Sequence, residues 1–189
     1  PLFQDDQSSS TISTATMDTL IFYDADLSVH PHLAESYTFV NDTTVEIVCR
    51  EGIMWQDDPD GTFTDEEFDA DDVYFTLYAW ANVSNDVANS DWIKKMEIVD
   101  KYTFKLYIDG DPSTPENDPF APAITYLNTR ILPEHYLNQT GDQLADGVTP
   151  DITAASWNTF ATNCFGTGLF ELGTFTEGVE TELNVFDDC

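Results

Sequence analysis

Two stretches of the chain alternate apolar and polar residues with the period of a half-buried strand. In "TVEIVC" the side chains of Val45, Ile47 and Cys49 share one face. In "YTFKLYI" Tyr102, Phe104, Leu106 and Ile108 alternate with Thr103, Lys105 and Tyr107. Each has a partner strand across a short polar turn. "SYTFV" (residues 36–40) leads into the first across Asn41-Asp42-Thr43, and "MEIVD" (residues 96–100) leads into the second across Asp100-Lys101. A third hairpin is expected at the end of the sequence, residues 168–172 against 180–186, turning at Glu177-Gly178. Upstream, "LIFYDADLSVHP" reads as a short strand followed by a turn over residues 24–26.

The period changes after Phe68. Asp69-Ala70-Asp71-Asp72 has an N-cap acid with a second acid three residues on, and Val73, Phe75, Leu77 and Trp80 follow, which predicts a helix over residues 70–82. Acids in its first turn complement the positive end of the helix dipole. Ile12, Ala15 or Thr16, and Leu20 permit a short helix over residues 9–20, and two more are expected near 119–127 and 133–137. A Pro/Asp-rich loop spans 109–119, and a polar Gly/Asp loop spans 139–151. Strands and helices mix without regular βαβ alternation, so the fold class is mixed α/β, of the α+β kind. No internal repeat is visible.

Composition changes this picture in two ways. The chain has 189 residues, 41% of them hydrophobic, with 13 Phe, 8 Tyr and 4 Trp, enough to build a core in one domain or two small ones. No apolar run approaches the length needed to span a bilayer. With no signal peptide and no initial Met, the sequence reads as a processed protein or a fragment. Against 36 acids stand 6 bases, a net charge of -30, and such a surface repels phosphate backbones and anionic lipid, which excludes nucleic-acid binding. The acids are spread along the whole chain. That favours adaptation to high salt, which screens self-repulsion, over neutralisation by bound divalent cations.

Several constellations invite chemistry. Asp58, Asp60, Gly61, Thr64 and Glu67 match positions 3, 5, 6, 9 and 12 of a calcium loop, with Gln56 at position 1 where an acid belongs and Pro59 between the acids. The segment before it reads as a strand rather than a helix, so a solvated acidic loop is the simpler reading. His30 and His32 flank Pro31 and point the same way on an extended segment, yet nothing supplies further ligands. No G-x-S-x-G occurs, and among 36 acids carboxylate pairs carry no information. No catalytic residue and no cofactor follows from the pattern. Trp55, Trp80, Trp92 and Trp157 read as packing residues, and His135 carries no assigned chemistry. Cys49 reads as a small core residue. If the last hairpin turns at Glu177-Gly178, Cys189 lies beside Gly166, and a β-bulge would bring Cys164 and Cys189 within disulfide reach. Asn-x-Ser/Thr sequons occur at Asn41, Asn82 and Asn138, in accord with an exported chain.

Six segments, taken in order, resemble one family, the extracytoplasmic solute-binding proteins of cluster 5, which serve ABC importers of dipeptides, oligopeptides and in some members nickel or sugars. They are "TMDTLIFYDADLSVHPHLAESYTF", "TVEIVCREGIMWQD", "FDADDVYFTL", "MEIVDKYTFKLYI", "PFAPAITYLNTRILPEH" and "FGTGLFEL". Departures include Tyr37 for the usual Trp, Gln56 for the usual His, and Leu169 where Pro or Ala is usual. The resemblance implies part of a type II periplasmic-binding-protein fold: residues 1–35 as part of domain I, 36–162 as domain II, and 163–189 as the return into domain I. It also implies a non-enzymatic, extracytoplasmic receptor for a peptide or other small solute. Such a receptor works with ABC permease subunits, is membrane-tethered at full length, and is monomeric. By the resemblance, Met17, Asp18, Thr19 and Leu20 lie near the ligand, with Asp18 facing a cationic group. Gly166, Thr167 and Gly168 form a hinge or crossing, where glycines permit close backbone approach and positive φ. An extracellular sensor or interaction module of the same fold, and an acidic calcium-binding surface module, are the alternatives.

The charge balance generates one prediction. The melting temperature rises in molar KCl relative to low salt, because screening relieves self-repulsion. Thermal melts that coincide in both would remove the salt-adapted reading.

Overall fold

The alternation in the two central strands is the alternation of a one-sided sheet. The computed structural model describes residues 7–83, 90–138, 151–176 and 180–186. Its largest sheet is antiparallel and four-stranded: β3 (Ala34–Asn41), β4 (Thr44–Cys49), β5 (Ile93–Asp100) and β6 (Thr103–Ile108), in the order β3-β4-β6-β5. Val45 lies opposite Leu106, and Ile47 opposite Phe104. These four, with Cys49 and Ile108, are completely buried. The other face carries polar cross-strand pairs, of which Glu46 and Lys105 approach to 3.1 Å. Burial pushes the Cys49 thiol up to about 12, with the charges of Asp69, Asp72 and Asp100 adding to the effect. Cys49 is therefore an inert core residue at neutral pH. Strand β5 starts three residues before the predicted point, because Asp109 N–H bonds the carbonyl of Trp92 at 2.8 Å and extends the pairing.

Helix α2 (Ala70–Val83) covers the apolar face of the sheet. Its predicted capping box is present: Asp69 Oδ1 accepts the Asp71 N–H at 2.8 Å, and Asp72 Oδ2 accepts the Asp69 N–H at 3.1 Å. The helix buries more than one stripe, including Val73, Phe75, Thr76, Leu77, Ala79 and Trp80. It is sandwiched, with β5 and β6 on one side and α4 (Glu134–Leu137) on the other. Asp72 is only 3% exposed. It accepts two further hydrogen bonds, from Trp55 Nε1 at 3.1 Å and from the Glu134 N–H at 2.8 Å. One turn later, Thr76 Oγ1 accepts the Leu132 N–H at 2.8 Å. The start of α2 thus holds both the segment leaving β4 and the segment entering α4.

The remaining elements frame this core. Helix α1 (Gln7–Thr16) ends four residues before the predicted limit. The chain there turns extended to pair with the 130s, through a bridge between Thr19 and Arg130 and the Ile131 N–H to the Asp18 carbonyl at 3.0 Å. β1 (Ile21–Tyr23) pairs with β2 (Val29–Pro31), so the first strand is one arm of a small hairpin. Asp24 and Asp26 accept backbone N–H groups in its turn, and Leu27 takes φ 68°. α3 (Ala123–Tyr126) falls within its expected region. α5 (Ala155–Thr162) was not expected. It docks through buried Phe160 and through Trp157 Nε1, which donates to the Leu137 carbonyl at 3.0 Å. β7 (Phe170–Thr176) and β8 (Glu180–Val185) form the closing hairpin. The Glu177-Gly178 turn and Cys189, with its pairing to Cys164, lie outside the described residues.

The buried carboxylate generates the second prediction. Asp72→Asn places an amide N–H₂ against at least one of three fixed donors, so it lowers unfolding free energy by about 2–4 kcal/mol. Denaturant melts at neutral pH check this, and a loss within about 0.5 kcal/mol, the scale of an ordinary surface substitution, would show that the three bonds carry little.

Candidate functional site

Where α1 ends, four segments of the chain meet around a cleft of about 440 Å³ lined by Asp18, His32, Leu33, Arg50, Gly52, Ile53, Thr167 and Leu169. Backbone bonds set their positions. The Leu33 N–H bonds the Thr19 carbonyl at 3.1 Å, and the Arg50 N–H bonds the Leu33 carbonyl at 2.9 Å. Arg50 Nε donates to the His32 carbonyl at 2.5 Å, which directs the guanidinium along the cleft wall. Gly52 takes φ 75°, a conformation that suits glycine. Its N–H donates to Glu67 Oε1 at 2.6 Å, and Lys101 and the Tyr102 hydroxyl hold the same carboxylate. Lys101 first, then the Gly52 N–H, keeps the Glu67 carboxyl below the usual range.

The opposite wall is the returning segment at residues 166–168. A β-carbon on Gly166 would stand 2.0 Å from the Thr16 carbonyl oxygen, and one on Gly168 would stand 2.8 Å from the Thr16 carbonyl carbon. These glycines exist for close backbone approach. Neither takes the positive φ that glycine permits; among the described residues the glycines that do are Gly52 and Gly61. The Gly168 N–H bonds the Thr16 carbonyl at 3.1 Å, and buried Thr167 donates from Oγ1 to Asp18 Oδ2 at 3.2 Å.

Gln56 fixes this segment from the other side. Its Nε2 donates to the carbonyls of Gly168 and Phe170, both at 2.9 Å, and its Oε1 accepts the Gly166 N–H at 3.1 Å. The Gln56 N–H also bonds the Gly166 carbonyl at 2.9 Å. A buried primary amide whose donors and acceptor are all used is an exacting arrangement. Its only signal in the sequence is an amide at a position where the resembling family carries an imidazole.

Of the four residues expected near a ligand, Asp18 faces the cleft. Thr19 is half-buried and donates to the Ile21 carbonyl at 2.6 Å, whereas Met17 and Leu20 place their side chains in the core. His32 Nε2 lies 3.9 Å from Asp18 Oδ1, while His30 Nε2 lies 3.6 Å from Asp24 Oδ2, so the two histidines serve different acids. The cleft therefore presents a carboxylate, an imidazole and a guanidinium beside Leu33, Ile53 and Leu169. That composition suits a small solute bearing charge of both signs.

The acids of the calcium-like loop do not converge. Asp58 is buried and accepts the N–H groups of Asp60 and Phe63, Asp60 accepts the Tyr136 hydroxyl at 2.6 Å, and Glu67 is held by Lys101 and Tyr102. Among the described residues no group of three or more His, Cys, Asp or Glu side chains could hold a metal ion. Behind the cleft, His135 packs edge-on against Trp55 and Phe63 at centroid distances of 5.7 and 5.5 Å. Burial pushes its imidazole down to about 4, against a smaller upward pull from Asp58.

A sequence profile described as "Bacterial extracellular solute-binding proteins, family 5 Middle" matches residues 28–188. Curated protein sequences yield no match. Among solved structures, NikZ from Campylobacter jejuni in complex with Ni(L-His) superposes on 100% of the chain with a TM-score of 0.76 at 22% identity. The periplasmic binding protein DppA from Helicobacter pylori, in complex with the peptide STSA, covers 100% with a TM-score of 0.76 at 21% identity. AppA from Bacillus subtilis, an oligopeptide-binding protein in complex with a nonapeptide, covers 99% with a TM-score of 0.67 at 21% identity. The chain spans 33%, 36% and 34% of those three proteins, about a third of their length. At these identities the likeness establishes the fold: part of a periplasmic-binding-protein architecture.

The buried histidine generates a prediction with a definite sign. A folded pKa of about 4, below the ordinary value of 6.5, means that the fold favours neutral imidazole. That contribution is fully present above pH 6.5 and is lost as pH falls towards 4. Relative to His135→Phe, which keeps a ring but cannot titrate, the parent chain loses stability across this window and not above it. Urea melts of the two from pH 7.5 to 4 read the difference, and parallel stability curves would refute the assignment.

Proposed function

Because the chain belongs to the bacterial extracellular solute-binding proteins of family 5, we propose that it acts as the solute-capture component of an ABC importer, with peptides as its ligand class. The observation that carries this is the family match over residues 28–188, together with a fold shared along the entire chain with receptors solved in complex with peptides and with Ni(L-His). The role is capture rather than catalysis, outside the cytoplasm. Among the described residues no helix is long and apolar enough to cross a membrane. Delivery is to permease subunits, from a monomer tethered to the membrane at full length.

In this reading residues 1–35 and 163–189 belong to one lobe and 36–162 to the next, and the crossing at Gly166, Thr167 and Gly168 joins them. Asp18 receives a cationic group such as a peptide amine, with Thr167 orienting its carboxylate. Arg50, its Nε anchored to the His32 carbonyl, offers its guanidinium to an anionic group in the same cleft. Leu33, Ile53 and Leu169 supply apolar contact beside the two charges. Lobe closure would then exclude water and strengthen both interactions.

The test is calorimetric titration of the full-length native protein against a panel of di- to nonapeptides, Ni(L-His) and simple sugars, in high salt. Peptides bind, and Asp18→Ala weakens their binding by about tenfold, the scale of one charge-assisted hydrogen bond. Binding of a sugar or the nickel complex with no peptide response would overturn the ligand class. Unchanged peptide affinity in Asp18→Ala would remove Asp18 from the site.

A further inference from the structure

The three Asn-x-Ser/Thr sequons are equivalent as sequence but not as structure. Asn82 lies in the last turn of α2, and its Nδ2 donates to the Tyr78 carbonyl at 2.8 Å. Asn138 is half-buried at the end of α4, and its Nδ2 donates to Glu134 Oε1 at 2.6 Å. In both, one of the two Nδ2 hydrogens is held by the helix itself. Asn41 differs. Exposed like Asn82, it stands at the tight β3–β4 turn, and its Oδ1 accepts both the Thr43 N–H at 2.9 Å and the Thr43 hydroxyl at 3.1 Å. Among the described residues every hydrogen bond of the Asn41 amide runs through its oxygen, and neither Nδ2 hydrogen is used.

We propose that Asn41 is an N-glycosylation site of this protein, the one of its three sequon asparagines whose amide nitrogen bonds to none of the described residues. The chemistry requires an accessible amide nitrogen and a hydroxyl two residues on that polarises the amide oxygen. Asn41 and Thr43 supply both in one turn, which the Ile108 N–H holds by bonding the Thr43 carbonyl at 2.8 Å. The donor is a glycan on a polyprenyl phosphate or pyrophosphate. Nδ2 forms a bond to the anomeric carbon as the carbon–oxygen bond to phosphate breaks. The phosphate leaves with the electron pair, and one amide proton passes to a base of the enzyme, so no oxidant or reductant is needed. The transfer requires the chain to reach the extracytoplasmic side, where its family works, and is independent of which solute the cleft takes. The site also borders Phe39 and Val40, large apolar side chains exposed on the edge strand β3, and a glycan there would shield that edge.

The test is mass spectrometry of proteolytic peptides from the full-length protein purified from its native source. The peptide containing Asn41 carries added glycan mass in most copies, and the peptides containing Asn82 and Asn138 do not. Expressed in the same host, Thr43→Ala and Asn41→Gln abolish the addition, whereas Thr43→Ser retains it at reduced occupancy. Circular dichroism confirms that each variant folds. An unmodified Asn41 in the native protein overturns the proposal, as does a glycan confined to Asn82 or Asn138. Retention of the mass in a folded Thr43→Ala chain shows a modification of another kind, and also overturns it. Solute titration of the same preparation is read separately, so failure of the binding assignment leaves this result standing.

Discussion

The fold depends on how one buried carboxylate is satisfied. Asp72 collects N–H donors from three parts of the chain: its own helix start, the indole of Trp55, and the backbone at Glu134. Burial first, with the charge of Asp69 adding to it, pushes its pKa well above the ordinary value, and the three donors oppose that shift without cancelling it. A carboxylate in such a position is costly unless all its donors are present together. The geometry of the β4 exit, the α2 start and the α4 entry is therefore a single condition. Trp55 and Glu134 flank the aromatic nest around His135, and Gln56 follows Trp55 directly. The wall that carries Gly166, Thr167 and Gly168 is thus set by the same carboxylate, one residue removed.

The acidity of the chain looks different once its acids are placed. All six bases have assigned work. Lys94, Lys95, Lys101 and Lys105 each pair with a carboxylate, Arg50 anchors the cleft wall, and Arg130 reaches Ser10 and Thr14 on α1. Most acids have no base available, and many find a backbone N–H instead. Asp24, Asp26, Asp58, Asp100, Asp111 and Asp151 each accept an N–H from one or two residues on. The Ser28 and Thr153 hydroxyls, and then these N–H groups, hold the carboxyls of Asp26 and Asp151 below the usual range, and for Asp100 the Tyr102 N–H does so first. Many of the acids thus shape turns, a local role that needs no counter-ion.

The parts of the fold legible in the sequence are those in which neighbouring residues decide. The alternation in β4 and β6, the Asn41-Asp42-Thr43 turn and the capping box of α2 all emerge where their local patterns place them. α5 was hidden because "ASWNTFAT" has a weak apolar stripe and owes its position to a carbonyl twenty residues earlier. The end of α1 was misplaced because the competing partner of residues 18–19 lies at 130–131. At the cleft, Asp18 was accessible through family resemblance. Arg50 and Gln56 were not, because what they bind is backbone, and backbone partners leave no trace in side-chain identity. Of the two roles the sequence suggested for the glycines at 166 and 168, close backbone approach and positive φ, the structure shows the first.

The amide of Gln56 has one more consequence, concerning cooperativity. Its side-chain bonds join positions 110 to 114 residues apart. Bringing the ends of a loop that long together costs about 4 kcal/mol in chain entropy. The loop needs closing only once, however, and every bond made at the closed position shares that cost. The first contact between Gln56 and the returning strand is therefore unfavourable alone, and each later one forms almost freely. The grip responds as a unit: the returning strand is either fully seated against residue 56 and α1 or released from both.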